Sequence, residues 1–242
     1  MTDWRHVASR AGCRRLVLDP AGQVGVWVAS VFAARLYLYR LAAVLGDVER
    51  RRLSQVSNRA RAEAYVVGHG LLRHLLSEST GRTCHPAAWQ FATTDAGKPL
   101  LWSEGCRDHD VSLAYSADAI AIAIAHRRAI GVDIEAVRSG PIPWALLNER
   151  ERQRLLARHG GDRQLEFLRL WTIREAVAKC RGVGLAREIA ADDPASRLVQ
   201  RFRIDADEFL LAVATHHAPD PFRPADKDVA PQGAVRTGAP GE

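Results

Sequence analysis

Few cysteines occur in this chain of 242 residues, and no two stand close together. Cys13, Cys84, Cys106 and Cys180 form no Cys-x-x-Cys pair, so neither a zinc ribbon nor a disulfide framework is indicated, and a reducing cytoplasm fits. The first residues lack an apolar core of the kind that starts an export signal, and the apolar runs further on are too short or too interrupted by arginine to span a bilayer. No membrane anchor is expected. An aromatic-basic platform or recognition motif for nucleic acid is also missing. What the chain does have is 47% hydrophobic residues, enough for one large domain or two small ones, and a formal net charge of +6. That charge favours anionic partners such as phosphates or acidic proteins.

Two stretches carry chemistry. The first, Gly131-Val-Asp-Ile-Glu135, follows the β-prone run Ala119 to Ala125 and a charged turn at His126 to Arg128, which predicts a strand from about Ala129. Alternate side chains of a strand share a face, so Asp133 and Glu135 point one way and Val132 and Ile134 the other. Paired carboxylates raise each other's pKa unless a cation lies between them. The second, Phe167 to Leu185, predicts a helix ending near Gly182, because apolar residues recur at helical spacing without proline. Trp171, Glu175 and Lys179 then form one stripe. Three carboxylates with open positions suit Mg²⁺ rather than zinc. Taken singly, each stretch also has a plain reading, a solvated acidic strand end and a surface Glu/Lys pair.

Gly-Val-Asp-Ile-Glu, followed some forty residues later by Trp171-Thr-Ile-Arg-Glu-Ala-Val-Ala-Lys-Cys-Arg-Gly-Val-Gly-Leu185, resembles the paired signature of the Sfp-type 4'-phosphopantetheinyl transferases. The similarity runs from about Val24 to Ala214. It implies an enzyme that moves the phosphopantetheine arm of coenzyme A to a serine of an apo acyl or peptidyl carrier protein, releasing adenosine 3',5'-bisphosphate. By the same resemblance Asp133, Glu135 and Glu175 hold Mg²⁺, and Glu175 and Lys179 are catalytic. Arg52, Arg73, Lys98, Tyr115 and Ser116 contact the coenzyme. Gly97-Lys98-Pro99 resembles the family's first short motif, with the lysine held extended before proline. Two positions depart from the family. Glu49 stands where a basic residue is expected, and Ser112-Leu-Ala-Tyr-Ser116 replaces a pattern with histidine at the Tyr115 position. A neutral phenol in place of a cationic donor costs about tenfold in affinity or rate. A relative that holds coenzyme A or a carrier without transferring anything is the alternative.

The resemblance implies an α+β fold of two similar subdomains with a pseudo-twofold relation and the active site between them. The expected division is an extension 1–23, an N-terminal subdomain 24–120, a C-terminal subdomain 121–217 with the metal site, and a proline-rich disordered tail 218–242. Residues Val24 to Ser30 read as a strand. Ala33 to Leu45 reads as a helix or as strand and turn, and Leu45 to Leu76 as two helices, with Asp47 and then Ser57 or Asn58 as caps. Trp144 to Arg158 reads as a helix, and the resemblance implies that an acidic carrier docks near it, where its arginines would steer the partner. A monomer is expected, with no nucleic-acid partner.

Overall fold

A computed structural model describes residues 6–16, 23–81, 84–94, 97–102, 108–183 and 196–216. The elements run α1 (Val7–Arg10), β1 (Arg14–Leu16), β2 (Val24–Ser30), α2 (Val31–Ala34), α3 (Leu38–Ala43), α4 (Asp47–Ser54), α5 (Arg59–Ser79), β3 (Phe91–Thr93), β4 (Pro99–Leu101), β5 (His109–Ser116), β6 (Ala119–His126), β7 (Ala129–Ala136), α6 (Glu149–Leu156), α7 (Gly160–Arg181), β8 (Ser196–Ile204) and β9 (Asp207–His216). The tail 218–242, the Asp19–Pro20 turn, Cys106 and the Gly184–Leu185 end of the second motif lie outside the described residues.

The class is mixed α and β with separate sheets. One sheet has the order β1-β2-β6-β5, a second β7-β9-β8, and β3-β4 is a hairpin. The alternation Ala-Ile-Ala-Ile-Ala-Ile in β6 determines the layering. Its isoleucines, Ile120, Ile122 and Ile124, turn to one core with Leu71, Leu72 and Leu75 of α5. Its alanines turn to another core, with Val24, Val26 and Val28 of β2 and with Ile130, Val132, Ile134, Leu211 and Val213 of the second sheet. Small side chains let the sheets approach closely, and the large ones fill the space under the helix. Each fully buried isoleucine contributes about 1.5 to 3 kcal/mol. The order of layers is therefore α5, first sheet, second sheet, α7.

β5 and β7 are the facing edges of the two sheets, and side chains join them. Asp110 Oδ2 accepts the N–H of Ile130 at 2.8 Å, Ser112 Oγ that of Val132 at 3.0 Å, and Ser116 Oγ that of Ala136 at 3.0 Å. Ala114 occupies the remaining place in this series and carries no oxygen. A row of exposed edge amides is thus covered without a backbone ladder.

The structure decides several details of caps and boundaries. Gly46, not Asp47, is the N-cap of α4, and Glu49 in its first turn accepts the Gly46 N–H at 2.7 Å. Asn58 caps α5, accepting from Arg61. The run after β2 is helical, with one tighter turn between α2 and α3. Trp144 to Leu146 is a separate turn, and α6 begins only at Glu149, where Asn148 and Glu151 cap reciprocally. The described part of the 1–23 extension belongs to the fold, since Val7, Ala8 and Ala11 are buried in the α5 core and β1 pairs with β2. β6 pairs with β2 and β5 along its whole length, so the 120/121 division falls inside a strand of the first sheet.

Candidate active site

Gly131, Asp133 and Glu135 share the face of β7 that looks at α7, as strand alternation requires. Helix and strand touch at Gly131, where a Cβ would meet the carbonyl oxygen of Ala176 at 1.9 Å and the amide of Cys180 at 2.3 Å. Only glycine allows that approach. It brings Lys179, one turn on from Glu175, down onto the carboxylates: Lys179 Nζ donates to Asp133 Oδ1 at 2.7 Å. α7 then stops at Gly182, which adopts the left-handed C-cap conformation with φ 67°.

Asp133 is buried, and its second oxygen, Oδ2, has no hydrogen-bond partner among the described residues. Burial raises its pKa from the ordinary 3.8 to about 7, opposed by Lys179 and assisted by Glu135 and Glu175. Burial likewise raises Glu135 and Glu175. Glu135 accepts from Ser116 Oγ at 3.1 Å and from the Trp171 side chain. Ser116 is therefore the residue that aims Glu135 and also ties β5 to β7.

Among the described residues no three His, Cys, Asp or Glu side chains stand as a ready metal cage. The donor set nonetheless fits an open Mg²⁺ site, because that ion keeps waters and takes one or two protein carboxylates together with substrate phosphates. Asp133 Oδ2 is a buried anionic oxygen without a donor, and Glu135 stands two residues along on the same face.

A raised folded-state pKa gives a sign for pH dependence. Folded Asp133 keeps its proton to higher pH than the unfolded chain does, so its contribution is complete below about pH 4 and is lost as pH rises through about 7. With divalent ions chelated, raising pH from 5.5 to 7.5 should lower the thermal midpoint by roughly 5 °C more in the wild type than in Asp133→Asn, from about 2 kcal/mol at 2 to 4 °C per kcal/mol. Equal slopes in the two proteins would contradict that assignment.

A cavity of about 230 Å³ lies over the β5–β7 seam, between α4 and α5 on one side and the end of α7 on the other. Lys179, Lys98, Arg52 and Tyr115 all line it, which unites residues from Arg52 to Lys179 in one place. Sequence reading missed three aromatic rings there, Tyr65, His69 and Phe91. Tyr65 stacks on His69 with centroids 4.1 Å apart. The helical i, i+4 spacing of Tyr65 and His69 was the available signal.

Two expected phosphate contacts are occupied internally. Arg73 is 2% exposed; its guanidinium pairs with Glu49 Oε2 at 2.7 Å and donates to the carbonyls of Pro86 and Trp89 at 3.0 and 2.8 Å. It is a structural arginine in this conformation, and Glu49, held low in pKa by His69 and Arg73 against its burial, is its partner. Lys98 Nζ lies 2.5 Å from Asp110 Oδ2 and donates to the Ile130 carbonyl at 2.9 Å, so its ammonium serves the seam while its stem lines the cavity. Asp110, another polar residue at the even positions of β5, is the partner that sequence reading did not supply. Tyr115 has 42% of its surface exposed, but its hydroxyl tucks against Gly68, where a Cβ would come within 2.3 Å of it. Burial of that end pushes the phenol upward, leaving a neutral donor. Arg52 is exposed at the rim.

Residues 129–223 match the sequence model described as the 4'-phosphopantetheinyl transferase superfamily, the segment that holds Asp133, Glu135, Glu175 and Lys179. Curated relatives carry the same description. The chain is 26% identical over 170 residues to the 4'-phosphopantetheinyl transferase HetI of Nostoc sp. (strain PCC 7120 / SAG 25.82 / UTEX 2576), covering 68% of this chain and 71% of that protein. It is 26% identical over 149 residues to the 4'-phosphopantetheinyl transferase of Bacillus subtilis, covering 61% and 64%. It is 27% identical over 173 residues to the 4'-phosphopantetheinyl transferase AcpT of Escherichia coli (strain K12), covering 67% and 78%. The matched segment spans the acidic strand and the long helix that packs on it, and over that segment the chain resembles the 4'-phosphopantetheinyl transferase superfamily.

Proposed function

We propose that this protein transfers the 4'-phosphopantetheine arm of coenzyme A to a serine of an apo acyl or peptidyl carrier protein and releases adenosine 3',5'-bisphosphate. The observation that carries the reading is Lys179, which lines the cavity opposite Arg52, Tyr65 and Tyr115 and at the same time holds Asp133 at 2.7 Å, so that the carboxylates, which do not line the cavity themselves, stand next to it. Aromatic rings beside cations suit a nucleotide with its phosphates. Asp133, Glu135 and Glu175 are the residues that would hold Mg²⁺, which when bound supplies charge neutralisation to a pyrophosphate. Lys179 balances the developing charge on the leaving group. Glu175, half-buried with its pKa raised, is the group we assign to accept the serine proton, directly or through a water. Arg52 and Tyr115 orient the coenzyme, and Ser116 keeps Glu135 in place. We read the two helix-covered sheets as the subdomains of a pseudo-twofold fold, with the cavity on their seam, and the protein as a cytoplasmic monomer that uses no nucleic acid. No described helix is long and apolar enough to cross a membrane.

The test is mass spectrometry of a panel of apo carriers incubated with the protein, coenzyme A and Mg²⁺. The expected result is a gain of one phosphopantetheine arm on at least one carrier. Glu175→Gln should slow that gain about a hundredfold. Near-normal transfer by this variant would remove Glu175 from the proton's path. A second reading, binding without transfer, draws on the commitment of Arg73 to Glu49 and of Lys98 to Asp110. Coenzyme binding by calorimetry with no mass gain on any carrier would select it.

A further inference from the structure

The helical run from α2 through α3 is apolar on both sides. Its inner side, Val31, Ala34 and Leu41, is buried in the α5 core. Its outer side carries Phe32, Leu36 and Tyr39 at i, i+4 and i+7, exposed by 68%, 91% and 87%, and exposed Ala43 continues the row at i+11. Single exposed apolar residues need no explanation, but four in one helical row make a ridge of the kind that marks a docking surface. Basic groups flank it. Arg35 packs on the Phe32 ring and shares Glu63 with Arg59, a trio that keeps a net positive charge, and Arg40 is exposed.

The ridge is continuous with the active site. Asp118, in the turn that follows Ser116, accepts from the Phe32 N–H at 3.0 Å, and its carbonyl accepts from Val31 at 2.7 Å. Ser116, the last residue of β5 before that turn, holds Glu135. A macromolecule that brings a serine to the carboxylates must therefore cover surface beside Phe32. The arginines of the α6 region, expected to steer the carrier, are engaged by neighbours to the same degree as Arg35 and stay half-exposed, but no apolar row of this length accompanies them among the described residues. Arg152 donates to the Trp144 carbonyl, and Arg154 and Arg158 share Glu166.

We propose that Phe32, Leu36, Tyr39 and Ala43 form the docking ridge for the carrier protein, which meets it with an amphipathic helix whose apolar face is flanked by carboxylates. This rests on the transfer reading above. Recognition is by apolar burial along the row, with Arg35 and Arg40 setting orientation and encounter rate.

Steady-state transfer to a carrier that the wild type modifies tests it. Leu36→Asp should raise the KM for that carrier about tenfold or more while leaving kcat at saturation, the KM for coenzyme A and the thermal midpoint nearly unchanged, since the side chain is almost wholly in solvent. Arg40→Glu should raise the same KM and flatten its dependence on salt. An unchanged carrier KM in Leu36→Asp overturns the docking ridge and leaves the transfer reading intact. So does a large rise in Leu156→Asp, on exposed α6 surface, in its place. Light scattering that shows a wild-type dimer made monomeric by Leu36→Asp assigns the ridge to a second copy of this chain and overturns the proposal. Absence of transfer by the wild type to every carrier overturns both readings together.

Discussion

Gly131→Ala should lower the thermal midpoint by about 10 °C and abolish transfer. The added methyl would land on two backbone atoms of α7, at 1.9 and 2.3 Å, and backbone cannot turn aside as a flexible side chain can. The helix must lift off β7 or the strand must bow. Overpacking of this kind costs roughly 1 to 3 kcal/mol and occasionally more, and the backbone obstruction places it at the top of that range. At 2 to 4 °C per kcal/mol for a chain of this size, about 10 °C follows. The functional loss follows from the same motion, because the Lys179–Asp133 contact of 2.7 Å is made across that interface. Gly140→Ala is the control: nothing lies within 4 Å of its Cβ position, and the midpoint should stay put. A Gly131→Ala protein that melts with the wild type would mean that α7 is not seated as described.

Arg73→Met should be nearly as damaging, through charge rather than volume. It removes the main cation facing Glu49, which is 3% exposed, and strips a donor from the carbonyls of Pro86 and Trp89. Breaking one side of a buried pair costs about 3 to 5 kcal/mol, because the remaining charge has neither water nor partner. His69, 3.2 Å from the other oxygen of Glu49, softens this without replacing it. The double variant Glu49→Leu with Arg73→Met should recover much of the loss, since removing both charges is close to neutral. Calorimetric melting of the three variants reads this directly. A residue whose only role was to hold a coenzyme phosphate would behave otherwise: Arg73→Met would melt like the wild type and only the KM for coenzyme A would rise.

Arg73 also shows where sequence reading stops. Resemblance to the family's basic helices implied a phosphate contact, but which anion an arginine meets depends on what the fold packs against it, and Glu49 lies 24 residues away in another helix. The same holds for Lys98, whose partner Asp110 comes from a different strand. Strand and helix periodicity did place Asp133 with Glu135 on one face and Glu175 with Lys179 in one stripe, because those positions follow from local geometry; that the two surfaces meet is a matter of packing at Gly131. The Ala/Ile alternation of β6 likewise carried its two-sided burial in plain view. Phe32, Leu36 and Tyr39 were illegible for the opposite reason: an apolar residue facing solvent looks the same in sequence as one facing a core.

The joint between β5 and β7 has a further consequence. Where two strands pair through backbone, their separation is fixed by peptide geometry at about 4.8 Å, whatever the side chains. Here the spacing is set by the reach of Asp110, Ser112 and Ser116. The mouth of the cavity above them can thus be widened, narrowed or tilted by exchanging one of three short polar residues, with strand order and register untouched. Donor and acceptor tolerance can drift in this architecture by point changes at the floor, independently of the residues that perform the chemistry.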